Sequence, residues 1–207
     1  MLITRLQGKK NVYSSNVYLI TGDWKRIEDV NTLIDAGSDP TVIEEILEVN
    51  TGVGKNKIDR VILTHCHSDH TAALSLIKQT FNPKVYAYSP FVEGVDVVLK
   101  DGEMIRIGDR MFEVIHTSSH SSDSICLHNE DEGVLFVGDT PVVINSPNGH
   151  YEDEFVELLE SLCRRHVKSI YFGHGGPALT SAHHILLTTL ENVKTSMKAL
   201  TSGNEKR

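Results

Sequence analysis

Thr64-His65-Cys66-His67-Ser68-Asp69-His70 places three imidazoles and a carboxylate within six residues. These are metal-ligand types. Imidazole suits zinc and iron, and a carboxylate adds a harder oxygen that also admits manganese. In an extended segment, residues two apart point the same way, so His65 and His67 can address one ion. Asp69 and His70, near the start of the next element, can address a second ion beside it. Two ions side by side bring a shared water's pKa near neutrality and make hydroxide available for hydrolysis. Capping a helix is the structural use open to Asp69. A cap, however, has no need of three imidazoles.

The motif needs elements that position it. Arg60-Val61-Ile62-Leu63 is a short apolar, β-branched run and reads as a buried strand. Residues 71–77 read as a helix with Leu74 and Ile77 on one face. The motif is therefore a strand-to-helix loop. Three further polar residues stand just past strand ends. His120 follows a strand that ends near Ile115. Asp139 follows Leu135-Phe136-Val137 through Gly138, and His174 follows Ile170-Tyr171-Phe172 through Gly173. The glycines let the backbone turn sharply and approach closely. Four strand ends delivering His or Asp describe one rim of a sheet sandwich that holds a site.

Elsewhere the chain alternates strand and helix signals. Val17-Tyr18-Leu19-Ile20, Thr32-Leu33-Ile34-Asp35 and Val85-Tyr86-Ala87-Tyr88 read as strands. Asp39-Pro40 reads as an N-cap and first helical residue, with Ile43, Ile46 and Leu47 facing inward. Residues 104–107 and 111–115 form one expected hairpin, and 124–127 and 134–137 a second. A helix is expected over 152–166 with Phe155, Leu158, Leu159 and Leu162 inward. The strand Ser169-Ile170-Tyr171-Phe172 follows. A last helix runs over 181–200, striped by Leu186, Leu190, Val193 and Met197. The whole, residues 1–207, reads as a single domain, with 201–207 as a flexible polar tail. Two sheets packed face to face with helices outside are expected.

Composition narrows the function. The formal net charge of −8 and the dispersed basic residues, Lys9-Lys10 included, argue against a nucleic-acid partner. No apolar run approaches a membrane span, and Met1-Leu2-Ile3-Thr4-Arg5 has no signal-peptide core. Cys66, Cys126 and Cys163 are an odd number without framework spacing, so reduced thiols and a cytoplasmic location are expected. Strand alternation turns Cys66 away from His65 and His67, and it is read as a packing residue. The expected partner is a small-molecule substrate. A homodimer remains open.

The order His-x-His-x-Asp-His, lone His, Asp, final His resembles the metallo-β-lactamase superfamily, and all seven positions are present across residues 65–174. Ser15-Asn16-Val17-Tyr18 and Leu33-Ile34-Asp35-Ala36-Gly37 also resemble that family's opening strands. The resemblance implies an α+β fold, a four-layer αβ/βα sandwich of two mixed β-sheets with helices outside. It implies that His65, His67 and His120 hold one metal, that Asp69, His70 and His174 hold a second, and that Asp139 bridges them. Zinc is the first choice of metal, with iron or manganese next. Asp69 would in addition orient the attacking hydroxide or carry its proton. Ser118-Ser119 depart from the Pro-Gly that many relatives carry before the lone histidine. His116, often histidine in relatives, is expected to brace the site rather than serve as an eighth ligand.

The full ligand set resembles the glyoxalase II and acyl-homoserine-lactone lactonase branch. The reading is a metal-dependent hydrolase that uses a metal-bound hydroxide on a small ester, lactone or thioester. The residues after the last helix leave no room for the extra helical domain of glyoxalase II. Three alternatives follow in order. One is a mononuclear-iron oxidoreductase of the persulfide dioxygenase kind, for which His67, His70 and His174 would be superfluous. The next is a phosphodiesterase or ribonuclease, opposed by the acidic charge. The last is a scaffold that keeps metal without catalysis. Asn145, His150, Tyr151, His183 and His184 are candidate substrate contacts.

Overall fold

A computed structural model describes residues 1–9 and 11–204. The first sheet has six strands: β1 (Leu2–Leu6), β2 (Val17–Thr21), β3 (Thr32–Ile34), β4 (Arg60–Ile62), β5 (Lys84–Ala87) and β6 (Val97–Val98). They lie in sequence order, antiparallel from β1 to β3 and parallel from β3 to β6. The second sheet contains β7 (Met104–Ile107), β8 (Arg110–His116), β9 (Ile125–Asn129), β10 (Val134–Gly138) and β11 (Ser169–Phe172). Its order is β11-β10-β9-β8-β7, and only the β10–β11 pair is parallel. The helices are α1 (Val42–Glu48), α2 (Ser68–Thr71), α3 (Leu74–Phe81), α4 (Asp153–Cys163) and α5 (Ala182–Asn204).

The period-two alternation of a strand sorts its side chains into layers. In β2, Tyr18 and Ile20 join Ile34 and Ile62 and meet Ile107, Phe112, Leu127 and Phe136 of the other sheet. Val17 and Leu19 point the opposite way, with Leu33 and Val61, toward Ile46 of α1 and Ile77 of α3. The outer face of the second sheet, Cys126, Leu135, Val137 and Ile170, packs on Leu159 and Leu162 of α4 and Leu186 and Val193 of α5. Three cores between four layers give the helix–sheet–sheet–helix sandwich. Burying one such side chain contributes about 1.5–3 kcal/mol. Strands covered on both faces read as continuous apolar runs, which is why β2, β4 and β10 are conspicuous in the sequence.

Several expectations shift. The helix after the histidine motif begins at Ser68 as the single turn α2, breaks, and resumes as α3 at Leu74. Helix α1 starts at Val42 with Thr41 at its N-cap. The Asp39 carboxylate instead accepts the Thr41 N–H at 2.9 Å, one turn early. Leu47 lies on the solvent side of α1, 52 % exposed. Helix α5 continues to Asn204, so the tail expected over 201–207 begins inside a helix, and its last part, residues 205–207, lies outside the described residues.

Candidate metal centre

The site grows from two adjacent strand ends. β3 and β4 run parallel with Ile34 opposite Ile62. The residues that follow, Asp35 and Thr64, therefore meet. Asp35 turns out of its strand with φ 60°, a left-handed conformation that a short polar residue tolerates. Its Oδ1 accepts the Thr64 N–H at 2.7 Å, and its Oδ2 accepts the Thr64 hydroxyl at 2.9 Å. The same Oδ2 lies 2.8 Å from His70 Nδ1. An N–H donated there fixes the His70 ring and leaves Nε2 facing the site. The Ala36 and Gly37 N–H groups bind the His70 carbonyl at 2.8 and 3.1 Å and seat α2 against the sheet.

All seven expected side chains converge, in two groups. His65, His67 and His120 form one. Asp69, His70, Asp139 and His174 form the other. In the first, His65 Nε2 lies 3.1 Å from His67 Nδ1, and His67 Nδ1 lies 3.0 Å from His120 Nε2. In the second, Asp69 Oδ2 is 3.0 Å from His174 Nε2 and 3.7 Å from His70 Nε2. Asp139 Oδ1 is 3.4 Å from His70 Nε2, and its Oδ2 is 3.5 Å from His174 Nε2 and 3.7 Å from His120 Nε2. Asp139 thus touches both groups. The capping role for Asp69 does not hold: His67 occupies the N-cap of α2, and the Asp69 carboxylate faces the site.

Two glycines permit this approach. A Cβ on Gly173 would stand 2.1 Å from Asp139 Oδ1 and 2.8 Å from His70 Cε1. Gly138 takes φ +52°, with Thr64 Oγ1 only 2.7 Å from where a Cβ would sit. Asn16 then clamps the far loop. Its Nδ2 donates to the Phe172 and Gly175 carbonyls, both at 2.8 Å. Tyr13 stacks on the His174 ring at 5.4 Å between centroids.

The donor set suits a cation. His70 Nε2, Asp139 Oδ1 and His174 Nε2 are buried atoms that, close as their neighbours lie, make no well-aligned hydrogen bond among the described residues. In the first group, the single His67 Nδ1 faces two other ring nitrogens, and protons cannot satisfy all three. Nitrogens 3.0–3.1 Å apart come close to the edge of a tetrahedron around zinc, about 3.3 Å for Zn–N bonds of about 2.0–2.1 Å. Protonation tells the same story. Burial, then the neighbouring His70 charge, pushes His65 down to about 4. Burial also acts to lower His70, but Asp35 and Asp139 outweigh it and hold the imidazolium up to about 10. Burial opposes ionisation of Asp139, yet His70 and His174 keep its carboxyl below the usual range. His70 thus carries a proton where the donors call for a metal.

A cleft of about 450 Å³ opens beside His120, Asp139 and His174, walled by Pro141, Val142, Val143 and Phe172. Asn145, His150, Tyr151, His183 and His184 do not line it. The Tyr151 hydroxyl donates instead to the Asn148 carbonyl at 2.8 Å. Cys66, expected to pack, is exposed, because the strand has already ended four residues earlier, at Ile62. His116 is structural: it stacks on Tyr88 at 3.9 Å and bonds the Ser122 carbonyl at 2.9 Å. Asp35 and Asn16 were not expected at the site. Asp35 follows an apolar strand as Asp139 does, and that shared pattern is the signal that would have found it.

A family model described as the metallo-beta-lactamase superfamily matches residues 11–92 and 87–196. The chain belongs to that superfamily. It is 37 % identical over 110 residues to a hydroxyacylglutathione hydrolase of Francisella tularensis subsp. novicida, covering 51 % of this chain and 43 % of that protein. To the hydroxyacylglutathione hydrolase of Rhizobium etli it is 28 % identical over 180 residues, covering 84 % of this chain and 69 % of that one. The chain thus spans less than half the length of the first of these relatives. A metallo-beta-lactamase family protein from Thermus thermophilus shares the fold, with a TM-score of 0.66 at 18 % identity, covering 96 % of this chain and 79 % of that one. Among the described residues, no helix is long and apolar enough to cross a membrane.

Proposed function

We propose that the chain is a metal-dependent hydrolase of a small acyl compound, an ester, lactone or thioester, and that it works as one catalytic domain in the cytoplasm. The thioester is favoured because the curated relatives are named hydroxyacylglutathione hydrolases. His65, His67 and His120 would hold one divalent ion, zinc first, and Asp69, His70 and His174 a second, with Asp139 shared. The observation that carries this reading is Asp139, whose two oxygens reach His70, His174 and His120 at 3.4, 3.5 and 3.7 Å. When bound, such a pair of ions supplies an acidified water and polarises the acyl oxygen.

The chain's own residues do the rest. Asp35 holds His70 in one tautomer, so that Nε2 presents a lone pair to the site. Asp69 lies in the second group, 3.0 Å from His174 Nε2. One of its oxygens orients the attacking water and accepts its proton. The water oxygen forms the new bond to the acyl carbon, the bond from that carbon to sulfur or oxygen breaks, and the proton held on Asp69 passes to the departing thiolate or alkoxide. The cleft beside Asp139 receives the rest of the substrate.

The test couples metal analysis to a substrate panel. Purified protein reconstituted with zinc should carry close to two equivalents per chain and turn over thioesters or lactones in preference to phosphodiesters. A single iron that persists after reconstitution, with no hydrolysis of any acyl substrate, would overturn the proposal.

A further inference from the structure

The cleft beside the site is built wholly from the C-terminal half of the chain, and its walls are chemically one-sided. Apart from His120, Asp139 and His174, its side chains come from Thr140, Pro141, Val142, Val143 and Phe172. No Lys or Arg is among the described residues that line it. Several polar groups of the 140–144 segment are engaged away from the opening. The Thr140 hydroxyl is 2.9 Å from Thr117 Oγ1 and 3.7 Å from Cys126 Sγ, inside the second sheet. Pro141 has no N–H to offer. The Val142 carbonyl accepts from Thr189 Oγ1 at 2.8 Å, and the Ile144 N–H donates to the same hydroxyl at 3.0 Å. Asn192 Nδ2 donates to the Ile144 carbonyl at 2.7 Å. Helix α5 thus ties down the backbone of this wall before a ligand arrives. Val142, 1 % exposed, anchors it in the core behind, and Pro141 and Val143, 46 % exposed, are the wall residues open to solvent.

From these walls we infer that the cleft receives an uncharged, apolar acyl group, and that Val143 and Phe172 set this preference. The inference rests on the hydrolase reading above and narrows its substrate class. An apolar chain leaves water on entering. A carboxylate held against Val143 and Phe172 would lose hydration with no Lys or Arg lining the cleft to replace it, and ions on His120, Asp139 and His174 would draw it toward the site and away from this wall. A substrate whose acyl group carries a negative charge is therefore rejected at this wall, whatever the leaving group.

The test is a series of thioesters of one neutral thiol, N-acetylcysteamine, carrying acetyl, butanoyl, hexanoyl or succinyl groups, hydrolysed by the metal-loaded protein. From acetyl to hexanoyl, kcat/KM should climb about two- to fourfold per methylene, the upper figure being the equivalent of about 0.8 kcal/mol. The succinyl thioester should fall roughly tenfold or more below butanoyl. Val143→Ala should flatten the series, and Val143→Lys should raise the succinyl-to-butanoyl ratio roughly tenfold by supplying the missing cation. A flat series, or an unchanged ratio in Val143→Lys, with hydrolysis intact overturns the inference and leaves the hydrolase reading standing. If no thioester is hydrolysed, the thioester form of the hydrolase reading fails, and the wall is judged by binding alone. Hexanamide and succinamate are then titrated into methyl-labelled protein. Saturable shifts of the Val142 and Val143 methyls with hexanamide and none with succinamate sustain the inference, and the absence of shifts with hexanamide overturns it.

Discussion

The two arms of the site are built in opposite ways. The arm from β3 and β4 delivers His65, His67, Asp69 and His70 from one continuous loop, with Asp35 beneath them. His65 and Asp35 are each 2 % exposed and His70 is fully buried. The arm from the second sheet delivers His120, Asp139 and His174 singly, from three different strand ends. Their side chains are 30, 17 and 35 % exposed. The first arm carries a buried acceptor that fixes a ring, and the second carries the cleft. A contiguous, braced loop suits holding a charge in place. Separate, half-open side chains, two of them on glycine-bearing turns, suit meeting a substrate. The division predicts that damage to the first arm appears chiefly as lost metal affinity, and damage to the second as a loss of turnover larger than its loss of metal explains.

Asp139 tests that division hardest, because it belongs to the second arm yet touches both groups. Asp139→Ala should lower hydrolysis by about 10³-fold or more and reduce bound metal below two equivalents, with the circular dichroism spectrum unchanged. Retained stoichiometry with lost turnover would make Asp139 a substrate-side group only. Gly173→Ala comes next. The added methyl would collide with the Asp139 carboxylate, 2.1 Å away, and with the His70 ring, 2.8 Å away. Relieving the closer contact displaces the carboxylate by about 1 Å, which should cost on the order of 10²-fold in turnover. Near wild-type kinetics would mean that the second arm is loosely held and that its geometry is not what limits the reaction.

Asp35→Asn addresses the first arm. Asparagine accepts the left-handed backbone at this position, so the fold should survive. Metal affinity should fall about 10–100-fold, as it does when the group orienting a ligating histidine is lost, and isothermal titration reads it directly. A fall in turnover at unchanged affinity would break the division between the arms. The metal-free protein offers a finer reading. His70, held up to about 10 against an ordinary imidazole value of 6.5, lends stability that is fully present below about 6.5 and lost as pH rises through about 10. In Asp35→Asn that loss should be smaller and should be complete at lower pH, because the largest raising influence is gone and the folded-state pKa falls toward the ordinary value. At pH 8, zinc added to the metal-free protein should also release close to one proton from His70 and none from His65, which is already neutral. Calorimetry in buffers of different ionisation enthalpy counts that proton.

The same contrast explains what the sequence discloses. The first arm's ligands lie side by side, so their type and spacing announce a metal site before any fold is known. The second arm's ligands are legible only through the strands that precede them. β8, β10 and β11 are apolar runs, and His120, Asp139 and His174 stand just past their ends. The sandwich itself is readable for the same reason, whereas β1, an edge strand exposed along most of its length, and β6, with two residues, carry too little pattern. Asp35 escaped because it reads as the last residue of the strand Thr32-Leu33-Ile34-Asp35, where one carboxylate announces no partner. Its role exists only once parallel pairing sets Ile34 against Ile62 and brings it under Thr64 and His70. The cleft walls escaped too. Val142 and Val143 belong to no strand or helix, and only the hydrogen bonds to Thr189 turn that segment into a surface.

Cys66 gives the smallest effect and the cleanest control on the first arm. It sits between two ligands in the chain, yet it is exposed while His65 is buried. Strand alternation points it inward only if the strand continues, and β4 ends at Ile62. Burial and then Asp123 hold its thiol above the usual value, so at neutral pH it is a weak nucleophile and a poor metal competitor. Cys66→Ser should therefore change turnover by less than about twofold and stability by no more than about 0.5 kcal/mol, the range for surface positions. Denaturant melts and steady-state rates on the same preparation measure both. A tenfold loss of turnover with two metals still bound would bring position 66 into the reacting site. The first arm would then do more than hold charge, and the division between the arms would fail where the sequence motif is densest.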